Sequence, residues 1–115
     1  MASLRMEVTK RDDVDFEITF EDVNDDPIDI TGSTVFFTVK RSLKDADEDA
    51  VIAKEITVFD NPTQGIAIIS LNHTDTNIPI CGYIFDIQLK DQFGKIASSK
   101  IGSFVVKPDV TIRTT

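Results

Sequence analysis

Four sets of residues in this chain have side chains suited to chemistry. Glycoside hydrolysis needs only two carboxyl groups flanking one bond, one as acid and one as base or nucleophile. Asp86 lies on the outward side of one alternating stretch, and Asp15 and Glu17 lie on that of an earlier one. His73, the single histidine, would need an orienting group and a nucleophile to act as a general base; Asp75 and Ser70 are of those types and close in sequence. Asp45, Asp47 and Asp49 alternate as calcium ligands do, but Ala50 stands where an EF-hand loop needs glycine, and Ile56 where it needs glutamate. Cys81, the single cysteine, sits between Pro79-Ile80 and Gly82 with no activating base beside it, so a buried or half-buried apolar role is expected for it.

None of these sets completes a motif. A zinc site joining His73 and Cys81 would still need carboxylates, and the chain has no glycine-rich phosphate loop. Carboxylates on solvated faces are what a chain this acidic must display anyway. The sequence therefore assigns no catalytic, cofactor-binding or metal-binding residue, and the expectation is a protein that is not an enzyme.

Twenty acidic against twelve basic residues give a formal charge of -8. Such a surface repels a phosphate backbone, so no nucleic-acid partner is expected. No stretch is apolar and long enough to span a bilayer, and Met1–Lys10 lacks the apolar core of a secretory signal. A single cysteine excludes an intrachain disulfide, which fits folding in a reducing cytoplasm. Asn72-His73-Thr74 is formally a glycosylation sequon, but without secretion it is expected to stay unmodified.

The elements that must position these residues are strands. Tyr83, Phe85, Ile87 and Leu89 alternate with Ile84, Asp86, Gln88 and Lys90 after Gly82, which is the period of a half-buried strand. Val14, Phe16, Ile18 and Phe20 alternate with Asp15, Glu17 and Thr19, and Val35, Phe37 and Val39 with Phe36, Thr38 and Lys40. Further strands are expected over Val51–Phe59, Ile66–Leu71 and Ile96–Val106, the last broken or bulged near Gly102. In Ile66–Leu71 both faces are apolar enough that periodicity leaves the buried one open. Leu4, Met6 and Val8 suggest an edge strand, Ile28 and Ile30 a short one, and Thr74 or Asp75 a cap on a helical turn. Turns are expected at Asp60–Gly65 and Asp91–Gly94.

About seven short strands without a long helix predict an all-β fold. The expected architecture is an antiparallel, immunoglobulin-like β-sandwich lacking the immunoglobulin disulfide, with a small barrel as the alternative. Residues 1–10 read as a lead-in or edge strand, 11–109 as the sandwich domain and 110–115 as a C-terminal tail.

The order of several segments resembles small β-sandwich modules of bacteriophage structural proteins, including the N-terminal domain of baseplate upper proteins. The segment Asp29-Ile30-Thr31-Gly32-Ser33-Thr34-Val35-Phe36-Phe37-Thr38-Val39-Lys40 resembles their D-[LI]-T-G-x-x-[VI]-x-F-x-[VI]-K stretch. Asp12-Asp13 before the strand Val14–Phe20, Gly65-Ile66-Ala67-Ile68 and Thr74-Asp75-Thr76 are similar to further parts of these modules. Ile78–Leu89 resembles L-P-x-G-x-Y-x-Y-D-I-x-L, with Ile80-Cys81 adding a position and Phe85 replacing an aromatic hydroxyl. Gly102–Thr111 resembles the closing G-x-F-x-V-x-P-D-V-T.

The resemblance implies a virion structural or assembly protein of the tail, baseplate or neck, made in the host bacterial cytoplasm. Its partners would be other phage structural proteins or further copies of itself, with no nucleic acid, membrane or cofactor involved. Candidate partner contacts are Phe36, Ile84 and Phe93, together with Val110 and Ile112 in the tail. Edge-strand pairing through the terminal stretches is the expected mode. The alternatives are a carbohydrate- or ligand-binding β-sandwich module, for which exposed aromatics are scarce, and a small carboxylate-dependent hydrolase.

Overall fold

The computed structural model describes residues 4–42 and 49–108. Among the described residues, seven strands form two sheets. In chain order they are β1 (Leu4–Thr9), β2 (Val14–Thr19), β3 (Thr34–Lys40), β4 (Ile52–Ile56), β5 (Ile66–Leu71), β6 (Gly82–Lys90) and β7 (Ile96–Lys107). Five make one sheet in the order β1-β7-β6-β3-β4, and β2 pairs with β5 in the other.

The larger sheet is mixed, which corrects the expectation of an antiparallel fold. β1 runs parallel to β7, with Leu4 beside Gly102 and Thr9 beside Lys107, while every other pairing is antiparallel. The physical reason lies in the route of the chain. β1 is the first and β7 the last strand among the described residues, so no hairpin links them, and a parallel pairing needs only a long connection. Here that connection is the rest of the domain.

β6 is the central strand, flanked by β3 and β7. Its inward residues Tyr83, Phe85, Ile87 and Leu89 are all buried, and they meet Val35, Phe37 and Val39 from β3 and Phe104 and Val106 from β7. Phe37 packs on Phe85 and Phe104 with ring centroids 5.9 and 6.2 Å apart, and Tyr83 meets Phe104 edge-on. Ala67, Ile69 and Leu71 turn inward from β5, which decides the face that periodicity left open. Both sheets thus contribute to one cluster, which Met6 and Val8 join from β1.

Two lysines occupy inward positions at the rim of this core. Lys54 stands in register with Phe37, and Lys100 with Ile87. The Lys54 ammonium reaches the Asp75 carboxylate at 2.9 Å. Lys100 donates to the Thr19 carbonyl at 3.3 Å and lies 5.5 Å from the Phe20 ring centroid. Each lays its aliphatic stem along the apolar interior and carries its charge to the gap between the sheets.

Several local expectations change. β4 is limited to Ile52–Ile56, because the chain beyond it leaves the sheet to enter a 3-10 turn at Pro62–Gln64. Ile28 and Ile30 form no strand, although Ile30 is fully buried. β7 runs unbroken through Gly102, which pairs with Phe85, and the irregular register falls instead between Leu89 and Lys90 near the hairpin turn. Asn72, rather than Thr74 or Asp75, caps the turn after β5. Its side chain accepts from the Thr74 and Asp75 amides, while the Asp75 carboxylate accepts from the Asn72 amide, a reciprocal capping box. Most of the acidic segment Ser42–Ala50 and the tail 110–115 lie outside the described residues.

Candidate interaction face

Alternation along the five strands gives the larger sheet a second, outward face. Phe36, Thr38 and Lys40 of β3 lie beside Gln88, Asp86 and Ile84 of β6 in register. Ile84 and Asp86 in turn stand beside Ser103 and Ile101 of β7. The sequence-nominated contacts Phe36 and Ile84 therefore share one face, both half-buried by their strand neighbours. Ile101, which sequence reasoning did not single out, is 57% exposed beside Asp86, and Val105 lies on the same side. The signal was present in the chain, since Ile101 and Val105 alternate with Phe104 and Val106, but Gly102 obscured which parity was outward.

An open groove of about 330 Å³ runs along this face, lined by Phe36, Thr38, Asp86, Gln88, Lys90 and Ile96. At its end lies the β6–β7 turn. The Asp91 carboxylate accepts from the Phe93 and Lys95 amides, and Gly94 takes a positive φ of 84°, so the turn is closed by its own backbone and holds Phe93 outward, 79% exposed. On the β1 side, Glu7 accepts from Arg5 at 2.8 Å and pairs with Lys107 at 3.1 Å. The Arg5 and Lys107 contacts hold its carboxyl below the usual range. Val110 and Ile112 lie outside the described residues.

The groups singled out for chemistry are dispersed. Asp86 belongs to the outer face of the larger sheet, whereas Asp15 and Glu17 point outward from the smaller one, with the shared core between them. His73 meets neither Asp75 nor Ser70. Its amide donates to Asp13 at 2.7 Å and its Nδ1 lies 3.2 Å from the same carboxylate oxygen. Ser70 pairs in register with Asp15, and Asp75 is engaged by Asn72 and Lys54. Among the described residues, no three His, Cys, Asp or Glu side chains gather closely enough to hold a metal ion.

Cys81 is exposed, against the buried or half-buried position expected of it. It precedes the first residue of β6 and so escapes the alternation that buries Tyr83. Its carbonyl accepts from the Val106 amide, and the adjacent Tyr83 hydroxyl donates to the Pro79 carbonyl at 2.6 Å. Burial, then the nearby Cys81 thiol, pushes the Tyr83 hydroxyl up to about 12.

No protein-family model matches this chain, and no curated protein sequence matches it.

Proposed function

We propose that the protein is a bacteriophage virion structural or assembly component, of the tail, baseplate or neck, that works by protein–protein contact. The observation that carries this reading is the outward face of the larger sheet. It collects Phe36, Ile84, Ile101 and Val105 around Asp86, with charged residues toward its margins, although the opposite side of the same strands already fills the core. Apolar side chains left on the outside of a sheet whose other side already fills the core are area that a partner can bury.

The finer fold assignment supports the same reading. We take the domain as an immunoglobulin-like sandwich: β7-β6-β3-β4 follow the order G-F-C-C′, and β2-β5 correspond to the B-E pair. Tyr83, at the start of the strand equivalent to F, bonds back to the backbone four residues upstream as a tyrosine corner does. Such sandwiches serve as rigid modules whose outer faces and edges meet partners. On this reading the protein is made in the host cytoplasm and incorporated into the particle or its assembly intermediates. The motif resemblance over Asp29–Lys40 and Gly102–Thr111 supplies the phage context.

The test is quantitative mass spectrometry of purified particles and of assembly intermediates from infected cells. The expected result is a fixed copy number per particle or intermediate, lost when Phe36→Asp or Ile84→Asp is introduced. Absence of the chain from both fractions would remove the reading.

A second reading, a ligand-binding module, draws on the groove between Phe36 and Lys90, where one aromatic ring is set among hydroxyl, carboxylate, amide and ammonium groups. Titration with soluble oligosaccharides, followed at the backbone amides of Thr38 and Gln88, separates the two.

A further inference from the structure

Among the described residues, four strands lack a hydrogen-bonded neighbour on one side: β1 and β4 in the larger sheet, β2 and β5 in the smaller. Such edges pair readily with another strand unless something covers or blunts them. Met6 and Val8 of β1, and Ala67, Ile69 and Leu71 of β5, are buried despite the open edge beside them. β4 carries a charge, Lys54, at an inward position. β2 differs from all three. Its inward series Val14, Phe16 and Ile18 is only half-buried, with no inward charge, no proline and an unbroken register against β5. Its backbone is open on the same side. The Phe20 amide donates to the Gly65 carbonyl at 2.8 Å, so by the alternation of an antiparallel ladder Phe16 and Ile18 bond toward β5. The amide and carbonyl groups of Asp15 and Glu17 point the other way, and nothing among the described residues bonds them. The Lys100 ammonium takes the Thr19 carbonyl and marks the end of the open stretch.

We propose that the free edge of β2 accepts an extended segment of another protein, in which apolar residues alternate with lysine or arginine. Backbone bonds to Asp15 and Glu17 hold the segment, and its apolar residues continue the inward row beside Val14, Phe16 and Ile18. Its remaining residues fall on the outward side, next to the Asp15 and Glu17 carboxylates. Those two groups set the sign of the partner. On the β5 side they stand beside Ser70 and Ile68, and neither makes an ion pair among the described residues. A basic residue across from them is paired, and an acidic one is repelled. A second copy offering its own β2 edge would set Asp15 and Glu17 of one strand against those of the other, which disfavours self-pairing. The inference uses neither the outer face of the larger sheet nor the phage context, so its failure leaves the reading above standing.

The experiment titrates the isotope-labelled full chain with a short synthetic peptide alternating valine and lysine, and with its counterpart carrying glutamate for lysine. Amide exchange is read residue by residue. With the lysine peptide, exchange at Asp15 and Glu17 should slow about tenfold or more, while the glutamate peptide leaves it unchanged. Binding should weaken between about 50 and about 500 mM salt, where screening shortens the reach of surface charges. Glu17→Lys, at an exposed outward position, should lose about tenfold in affinity for the lysine peptide and gain affinity for the glutamate one. Circular dichroism on that variant separates lost binding from lost folding. Equal binding of the two peptides, protection centred on β1 or β4, or no binding of either peptide by the folded wild type would each overturn the proposal. So would Asp15 and Glu17 amides already protected in the free protein. Sedimentation velocity then assigns that protection: a dimer makes a second copy the occupant, and a monomer a segment of the chain itself.

Discussion

β6 and β2 have equally regular alternation in sequence and very different depth in the fold. The inward residues of β6 are at most 3% exposed, from Phe85 and Ile87 at zero to Tyr83. Those of β2, Val14, Phe16 and Ile18, are only half-buried. The difference lies in neighbours. β6 has a hydrogen-bonded strand on each side and the smaller sheet beneath it, while β2 has β5 alone. Periodicity therefore fixes which face turns inward, whereas depth is set by where the strand falls in the sheet order.

The sharpest way to break this comparison is to truncate one phenylalanine in each strand. Phe85→Ala removes a fully buried ring that packs on Phe37, and a loss of about 3–5 kcal/mol is expected in denaturant unfolding. Phe16→Ala removes a half-buried ring and should cost about 1–2 kcal/mol. Equal losses would mean that the two-stranded sheet is packed as tightly in solution as the central strand.

Gly65 tests the junction that carries the chain into β5. It takes a positive φ of 71°, and a Cβ there would come within 2.5 Å of the Phe20 carbonyl oxygen and 2.8 Å of that of Ile28. Those contacts are backbone, so neither can swing aside. Gly65→Ala is expected to cost about 1–3 kcal/mol from backbone strain, with the steric contact adding to it. Its mark should be concentrated in the smaller sheet, because the Phe20 amide bonds to the Gly65 carbonyl at the end of β2. Hydrogen exchange that rises first in β2 and β5 would sharpen the contrast with β6; a uniform rise would weaken it.

What was legible in the sequence follows the same division. The stretches around Tyr83–Leu89, Val35–Val39 and Val14–Phe20 declared their strands and inward faces, because each sets an unbroken series of apolar residues at every second position. The parallel partnership of β1 and β7 was not legible, since pairing between the two ends of a domain leaves no local pattern. Nor were Lys54 and Lys100 at inward positions, where charge argues against burial until the rim of the core is seen. Of the candidate contacts, Phe36 and Ile84 could be placed on outward faces by parity alone. That they share one face with Ile101 required the register of three strands.

Tyr83 belongs to the better-buried region yet keeps a polar tip. Its hydroxyl donates to the Pro79 carbonyl across the bend that leads into β6. Tyr83→Phe keeps the ring contact with Phe104 and removes only that bond, so a loss of about 0.5–1.5 kcal/mol is expected. An unchanged midpoint would show that the bend is held by packing without the hydroxyl.

The smallest expected effect belongs to the tie between the larger sheet and the turn that follows the smaller one. Burial works against ionised Asp75, but the Asn72 amide and the Lys54 ammonium outweigh it, and the carboxyl is held below its ordinary value of 3.8. A carboxylate with a depressed folded value adds stability above its unfolded value and loses it as pH falls through the folded one. Both partners are partly solvated, which limits the pair to about 0.5–1 kcal/mol. Asp75→Asn should therefore be less stable than wild type by about that amount near neutral pH. The difference should close as acid protonates the wild-type carboxyl below pH 3.8. A difference that persisted unchanged in acid would assign the role of Asp75 to its place in the turn and leave β4 joined to this corner by packing alone.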